Sequence, residues 1–357
     1  MFKYAYLLPF YPLIQMIRVQ YAYGMVSHKK WLVVCIWFIK LVILEPFRLF
    51  EAMVMLFLPE KKVQPIFIIG YYRSGTTYLQ ELLSSDKQHR TLTLFQSILP
   101  EISLCFSWLF IPILSTITTL FKVKNNYHTI PFNWNFPGEE DVAINAMMAF
   151  HDYNRIYQYP SQYENITHRY LNIQNSTSVE KWFDNYRYLI HKLRYIYGNK
   201  QLLLKSPPNM GRIQLLRNKF PGAKFIFIHR DPFVAITSAK RLWKLNSSFS
   251  FEEYSESTVE KILIAQYTTM YDLFKAQGGH TVCLNITFEN LITDTSGTIK
   301  MIYKNLGLEG WEDAMDRINA ITIKRKKATT STIQNIPPFL NEATKIHAIR
   351  KELGYLN

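Results

Sequence analysis

The chain has 357 residues, of which 48% are apolar and only 19% are charged, which excludes an intrinsically disordered protein. Its net charge of +14 favours an anionic partner: a nucleotide, a nucleic acid or an anionic membrane surface. The three cysteines are scattered and the nine histidines form no pair at metal-ligand spacing, so neither a disulfide framework nor a metal site is expected.

Residues 1–62 differ from the rest of the chain because they are apolar, aromatic and only sparsely basic. The apolar run at residues 31–39 ends at Lys40, short of the roughly twenty residues that a transmembrane helix needs. No small-residue cleavage site follows it, which disfavours a signal peptide. We predict a helical segment that lies in the membrane interface; a helical hairpin packed on the protein itself is the alternative. One domain, residues 63–357, is expected to follow.

The first predicted strand is the branched apolar run at residues 65–69, which ends at Gly70. A helix is predicted over residues 76–84. Further along the chain, strands and helices continue to alternate, with strands expected at residues 201–204, 224–228 and 281–288 and helices at 182–197, 211–219, 232–240 and 298–306. This alternation predicts an α/β domain with a central, mostly parallel sheet and helices on both faces.

Residues 102–121 contain no charged side chain, a length that nominally suffices to span a membrane. Pro112 and frequent serine and threonine weaken that interpretation, and a span here would separate the first strand from the later ones. A membrane-dipping element or the wall of an apolar acceptor pocket is favoured, and the sequence leaves the choice open.

The segment Gly-Tyr-Tyr-Arg-Ser-Gly-Thr-Thr, which runs from Gly70 to Thr77, has the frame of a phosphate-binding loop between a strand and a helix. Backbone amides of such a loop hold a phosphate at the positive end of the helix. Thr76 stands where nucleoside triphosphatases carry the lysine, and the positive charge lies inside the loop at Arg73. This favours a smaller anion than a triphosphate with magnesium.

The run Arg73-Ser74-Gly75-Thr76-Thr77 resembles the 5′-phosphosulfate loop of sulfotransferases, and Arg230 and Ser238 match that family's 3′-phosphate motif in type and spacing. Phe288 opens a Phe-Glu-Asn-Leu segment similar to the one near the adenine. The resemblance covers residues 65–357. It implies a P-loop-like three-layer fold with an apolar helical N-terminal segment, and 3′-phosphoadenosine 5′-phosphosulfate (PAPS) as the donor. The donor-binding residues that it implies are Arg73, Ser74, Gly75, Thr76, Thr77, Arg230, Ser238 and Phe288.

The likeness also implies catalytic roles for Arg73 and Lys205, which would stabilise the leaving group. Pro207 stands where steroid and phenol sulfotransferases carry their histidine base, so the chain is more similar to bacterial-type members. The acidic cluster Glu139, Glu140 and Asp141 supplies the candidate proton acceptors, with Glu140 slightly favoured and His128 in reserve. Carboxylates at a helix start that only stabilise the helix dipole are the equally weighted alternative.

We therefore predict sulfuryl transfer to a hydroxyl or amine of an acceptor, without a metal and without nucleic acid. Apolar, aromatic flanks favour a lipid, sterol or other amphiphile. The expected place is the cytoplasm, on the inner face of the membrane; a Golgi-type membrane protein is the alternative for a eukaryotic chain. A small-molecule kinase and a non-catalytic membrane-surface protein are the competing functions.

Overall fold

The computed structural model describes residues 8–11, 13–14, 17, 31–123, 132–147, 152–173, 179–246, 250–326 and 337–355. Within them, five strands form one sheet in the order β2-β3-β1-β4-β5. Each neighbouring pair is parallel. The strands are β1 Ile66–Ile69, β2 His89–Thr91, β3 Gln201–Lys205, β4 Lys224–His229 and β5 Leu284–Thr287.

The helices that connect and cover these strands are numbered here in chain order. They are α1 Trp31–Phe57, α2 Thr76–Ser84, α3 Leu94–Ile98, α4 Ser107–Leu120, α5 Glu140–Met147, α6 Asp152–Gln158, α7 Tyr163–Leu171, α8 Val179–Tyr197, α9 Ile213–Lys219, α10 Pro232–Asn246, α11 Glu256–Ala276, α12 Gly279–Val282, α13 Phe288–Thr293, α14 Thr295–Leu306, α15 Trp311–Lys326, α16 Pro338–Asn341 and α17 Thr344–Glu352. Three-residue to five-residue 3₁₀ turns occupy Pro100–Ile102, Pro160–Gln162 and Pro207–Gly211.

The sheet separates two apolar cores, because successive side chains of a strand point to opposite faces. On β1, Ile66 and Ile68 pack into the core that contains Leu79 of α2. Phe67 and Ile69 pack into the larger core on the other face. All four side chains are fully buried. The predicted α/β fold with a parallel central sheet and helices on both faces is therefore confirmed.

The elements differ from the sequence predictions mainly at the sheet edges. Strand β2 was not predicted, because His89, Arg90 and Thr91 are too few and too polar to produce an apolar strand pattern. Strand β5 begins at Leu284, since the residues before it form the short helix α12. Helix α10 continues to Asn246, beyond the predicted end at residue 240.

The N-terminal helix α1 packs against the rest of the structure. Its residues Ala52 and Met55 are buried in the same apolar core as Phe67 of β1. The boundary between residues 62 and 63 stays a prediction. No helix in the described part of the chain combines the length and apolar character needed to cross a bilayer. The charge-free stretch 102–121 begins at Ile102, the last residue of a 3₁₀ turn, and contains α4.

A substitution at Gly70 tests how closely β1 and β4 approach. A Cβ atom there would lie 2.2 Å from the carbonyl oxygen of Ile228. We expect Gly70→Ala to lower the free energy of unfolding by about 3 kcal/mol, because the backbone of β4 cannot give way as a side chain could. Urea denaturation measures this.

Gly198→Ala is the matched control. Gly198 has a φ of +62° and no atom within 4 Å of an added Cβ, so only the left-handed backbone opposes the substitution, at a cost of about 1 kcal/mol. Equal losses for the two variants would contradict the close approach of the strands.

Candidate functional site

The candidate site lies where three neighbouring parallel strands end. Strand β1 lies between β3 and β4, so their carboxyl ends meet at one edge of the sheet. The loop after β1 begins at Gly70, β3 ends with Lys205, and Arg230 follows β4. Strands β2 and β3 lie on one side of β1, and β4 and β5 lie on the other. The chain changes sides after β3, and this change is a topological switch point. Open α/β sheets bind their ligands at such points.

The loop after β1 has the backbone of an anion-binding turn. Gly75, at the start of α2, has a φ of +93°, and an added Cβ would lie 2.3 Å from the ring of Phe288. Glycine is therefore required both by the backbone and by the ring beside it. Arg73 has a φ of +67°, an uncommon value for a residue with a side chain. Because Gly75 has no side chain to cap α2, the first amides of the helix can receive an anion.

Arginines from different motifs converge beside this loop. The Nε atom of Arg73 donates a hydrogen bond to Oγ of Ser238 on α10, at 3.0 Å. Burial lowers the pKa of Arg73, and the positive charges of Arg230 and Arg241 lower it further. The guanidinium carbon of Arg230 lies 4.7 Å from the centre of the Phe288 ring. Clustered, partly desolvated cations of this kind are an anion-binding arrangement.

Arg241 is the one member of this cluster that the sequence did not indicate. It follows Ser238 by three residues on α10, and residues at that spacing lie on the same face of a helix. That spacing from a predicted binding residue was the available signal. The spacing was not distinctive, because α10 also carries the basic residues Lys240 and Lys244.

Residues near the C-terminus hold the end of β4 in place. Arg350 of α17 donates to Asp231 from Nε at 3.0 Å and from Nη2 at 2.8 Å. The hydroxyl of Tyr355 donates to Glu289 at 3.0 Å and lies 3.1 Å from Nδ1 of His229. Burial, with a smaller effect from His280, lowers the pKa of His229 to about 4. His229 is therefore neutral at pH 7.

Three successive carboxylates bind the end of β3. The first, Glu139, forms an ion pair with the ammonium of Lys205. The side chain of Lys205 is 2% exposed and that of Glu139 is 22% exposed. Glu139 is thus the one carboxylate of the three that is partly exposed to solvent.

The second carboxylate, Glu140, is completely buried. It accepts hydrogen bonds from the Tyr186 hydroxyl at 3.0 Å, the Asn209 amide at 2.8 Å and the backbone N–H of Lys205 at 2.9 Å. Burial raises the pKa of Glu140 to about 7, and the charge of Asp141 adds to the shift against the opposing hydrogen bonds. This residue fixes the backbone at the end of β3.

The third carboxylate, Asp141, accepts two hydrogen bonds from Nη1 of Arg212, at 2.8 and 2.9 Å, and one from Ser206 Oγ at 2.5 Å. Arg212 is fully buried, with its guanidinium carbon 5.1 Å from the Tyr170 ring centre and 4.8 Å from that of Trp182. Sequence reasoning missed these partners of the acidic cluster. Arg212 follows Pro208 by four residues, which was a weak signal, because nothing in the sequence indicates that it pairs with Asp141.

The structure thus brings the predicted residues into two adjacent groups at one sheet edge. Lys205 lies beside Glu139 and Glu140 in the first. The second contains the loop residues Arg73, Ser74, Gly75, Thr76 and Thr77 together with Arg230, Ser238 and Phe288. His128 lies outside the described residues. In the described part of the chain, no group of His, Cys, Asp and Glu residues could hold a metal ion. The individual roles of these residues stay predictions.

Comparisons with known proteins identify the family and the fold of the chain. Residues 65–313 match the model of the Sulfotransferase family. Two mycobacterial proteins, from Mycobacterium bovis and Mycobacterium tuberculosis, are named omega-hydroxy-beta-dihydromenaquinone-9 sulfotransferase Stf3. Each is 26% identical over 279 residues, which are 76% of this chain and 69% of the relative.

Two solved structures have the same fold. Sulfotransferase STF9 from Mycobacterium avium gives a TM-score of 0.65 at 16% identity, covering 85% of this chain and 79% of that one. Sulfotransferase STF1 from Mycobacterium tuberculosis gives 0.59 at 16% identity, covering 83% and 78%. Because the family model spans most of the sequence, the chain belongs to the sulfotransferase family and is an enzyme.

The raised pKa of Glu140 predicts a dependence of stability on pH. Because this pKa is about 7 in the folded protein against an ordinary value of 4.5, the folded state binds more protons than the unfolded chain between these values. The contribution of Glu140 to the free energy of unfolding therefore falls as pH rises through that window, by up to about 3 kcal/mol. Glu140→Gln removes this contribution, and urea denaturation at a series of pH values measures it.

Glu342→Gln, which replaces an exposed carboxyl group, controls for the loss of one carboxyl. It should leave the curve of stability against pH close to that of the wild type, whereas Glu140→Gln should flatten it. Parallel curves for the wild type and Glu140→Gln would contradict the assigned pKa.

Proposed function

We propose that this sulfotransferase moves a sulfuryl group from PAPS to a hydroxyl group, or an amine, of a lipid, sterol or other amphiphilic acceptor. The observation that carries the proposal is the hydrogen bond of 3.0 Å between Arg73 and Ser238. It joins the loop after β1 to the helix after β4, so both ends of one bisphosphorylated nucleotide could be held together.

The donor would lie across the carboxyl ends of β1 and β4. We assign the 5′-phosphosulfate to Arg73 and the amides of residues 74–77 at the start of α2. Arg230 and Ser238 would bind the 3′-phosphate, and Arg241 would add a third positive charge. The ring of Phe288, which lies between Gly75 and Arg230, would form an apolar wall for the adenine.

The transfer requires no redox partner. The acceptor oxygen forms a bond to sulfur, and the bond between sulfur and the 5′-phosphate oxygen breaks with its electron pair leaving on the bisphosphate. Lys205 and Arg73 would stabilise that developing charge. In this scheme the acceptor hydroxyl enters between Lys205 and Glu139, and its proton passes to the Glu139 carboxylate.

Glu139 is preferred here to Glu140, which the sequence favoured. Glu140 is fully buried and its oxygens already accept three hydrogen bonds, whereas Glu139 is partly exposed. A general base must lie within hydrogen-bonding reach of the acceptor proton. Glu140 would then be a positioning residue that holds Lys205.

A lipid acceptor is supported by two observations. The name of the 26% identical relatives gives an omega-hydroxylated menaquinone as their substrate, which combines a hydroxyl group with a long apolar chain. The segments flanking the site in this chain are also strongly apolar. We therefore infer a hydroxylated lipid rather than a free sugar, and a location in the cytoplasm at the inner face of a membrane.

Arg230→Ala tests the donor site. Losing a charge-assisted contact to phosphate should weaken the binding of adenosine 3′,5′-bisphosphate by about tenfold to 100-fold. Calorimetric titration measures the affinity. Arg217→Ala, an exposed arginine on α9, is the matched control and should bind like the wild type. Unchanged binding by Arg230→Ala would remove this residue from the donor site.

Glu139→Gln tests the proton acceptor. Loss of the base should lower the kcat for transfer of ³⁵S from labelled PAPS to a hydroxylated lipid by at least about 100-fold. Binding of the bisphosphate should not change. The exposed Glu180 supplies the control variant Glu180→Gln. If Glu139→Gln stays active while a folded, donor-binding Glu140→Gln is inactive, the base is Glu140.

A further inference from the structure

Helix α1 exposes a stripe of apolar side chains, while its charged side chains face the protein. Residues exposed by half or more recur every three or four positions along it, so they form one stripe. They are Ile36, Ile39, Ile43, Phe50, Met53 and Phe57, with exposed fractions of 58%, 53%, 60%, 52%, 53% and 83%. Pro46, also exposed, lies within the same stripe. No charged residue interrupts it.

The charged residues of α1 all face the protein. Arg48 forms a buried ion pair with Glu45, at 2.7 Å. Glu51 is fully buried and pairs with Lys192 of α8. Lys40 donates to the carbonyl oxygen of Ile98, at 3.0 Å. In water, the hydrophobic effect favours the opposite orientation, with charges outside and phenylalanines inside. The orientation seen here suits a helix whose outer side meets hydrocarbon.

Helix α4 extends this apolar surface. None of its residues is buried, and Trp108 and Leu120 are each 73% exposed. The two helices touch through aromatic rings: the Phe47 ring centre lies 5.0 Å from that of Phe106 and 5.2 Å from that of Phe110. The exposed faces of α1 and α4 together are called the docking surface below.

Three threonine hydroxyls of α4 and its one indole N–H donate to backbone carbonyls of the same segment. The hydroxyls of Thr116, Thr118 and Thr119 donate to backbone carbonyls one turn earlier, at 3.0, 2.9 and 2.8 Å. The indole N–H of Trp108 donates to the carbonyl of Cys105, at 3.0 Å. Exposed hydroxyls in water have no need of such partners, whereas a helix in hydrocarbon must satisfy its donors internally.

We propose that the docking surface inserts into one leaflet of an anionic lipid bilayer and attaches the enzyme there without crossing it. Charge supports lipid as the occupant rather than another protein. The exposed Lys61 and Lys62 follow the end of the stripe at Phe57, and the exposed Lys122 follows α4. Lysines at the border of an apolar face bind anionic headgroups, and the net charge of +14 adds to the attraction. Glu60 is the one acidic residue at that border, 3.9 Å from Arg187.

Helix α1 packs against the segment that leads to the proposed proton acceptor. Leu44 of α1 and Trp134 pack in the same apolar cluster, and Glu139 follows Trp134 by five residues. If the proposed function holds, a membrane-dissolved acceptor would bring its hydroxyl to Lys205 and Glu139 from this side. Attachment to lipid is independent of the donor and can be tested without any turnover.

Flotation of the full-length protein with vesicles tests the proposal. The vesicles contain phosphatidylcholine with or without phosphatidylglycerol, in sucrose gradients. We expect the wild type to float with the anionic vesicles. The double variant Phe57→Glu/Leu120→Glu should bind them at least about tenfold more weakly, because it places two carboxylates in hydrocarbon. Ile323→Glu, at an apolar residue of α15 that is 67% exposed, is the matched control and should float like the wild type.

Because Phe57 and Leu120 lie outside the core, the double variant should keep its melting temperature and its affinity for adenosine 3′,5′-bisphosphate. A wild type that stays in the aqueous fractions overturns the proposal. So does a stable dimer that the double variant dissociates, since the surface would then join two copies. Flotation that the double variant retains would show binding by charge alone and would also overturn insertion. Failure of bisphosphate binding with flotation intact would reject the proposed donor and leave the membrane attachment standing.

Discussion

The site depends on one constraint: three consecutive carboxylates at the start of α5 bind the end of β3. The Asp141–Arg212 pair is fully buried, so it must stay paired, because an isolated charge there would be strongly destabilising. With Asp141 fixed, Glu140 meets the backbone N–H of Lys205, and Glu139 meets the Lys205 ammonium. Helix start and catalytic group, the two alternatives for this cluster, are therefore compatible, because Glu140 and Asp141 lie in the first turn of α5 while Glu139 is the proposed proton acceptor.

The group of site residues beside the loop after β1 contains arginines whose positive charges repel one another. Burial lowers the pKa of Arg73, and the nearby positive charges of Arg230 and Arg241 lower it further. Like charges held together raise the free energy of the empty site, and an anion between them lowers it. The ion pair between Asp231 and Arg350 keeps the end of β4 from relaxing away. A site held in this way is preorganised for an anionic ligand.

Much of this could be predicted from local patterns. The apolar run before Gly70 and the helical spacing after it predicted β1 and α2, the loop frame indicated Arg73, and the family resemblance indicated Arg230 and Ser238. The missing parts are long-range contacts. Ser238 is 165 residues from Arg73, and Arg212 is 71 residues from Asp141, so no periodicity links either pair.

The orientation of α1 was hidden for a different reason. Its sequence shows an apolar segment with scattered charges, and those charges resemble interruptions of a membrane helix. Only the structure places them on the inner face, where Glu51 meets Lys192 of a helix formed more than a hundred residues later. A segment whose composition does not suit a transmembrane helix can still present an apolar surface to one leaflet of a bilayer.

The proposed donor site requires that this sheet edge bind a nucleotide with separate 3′- and 5′-anions. Calorimetric titration of the wild-type protein with adenosine 3′,5′-bisphosphate, and in parallel with ATP and magnesium, tests it most directly. We expect saturable binding of the bisphosphate and little binding of ATP, because Thr76 stands in place of the lysine that triphosphate sites use. A preference for ATP with magnesium would contradict the donor site and favour a kinase.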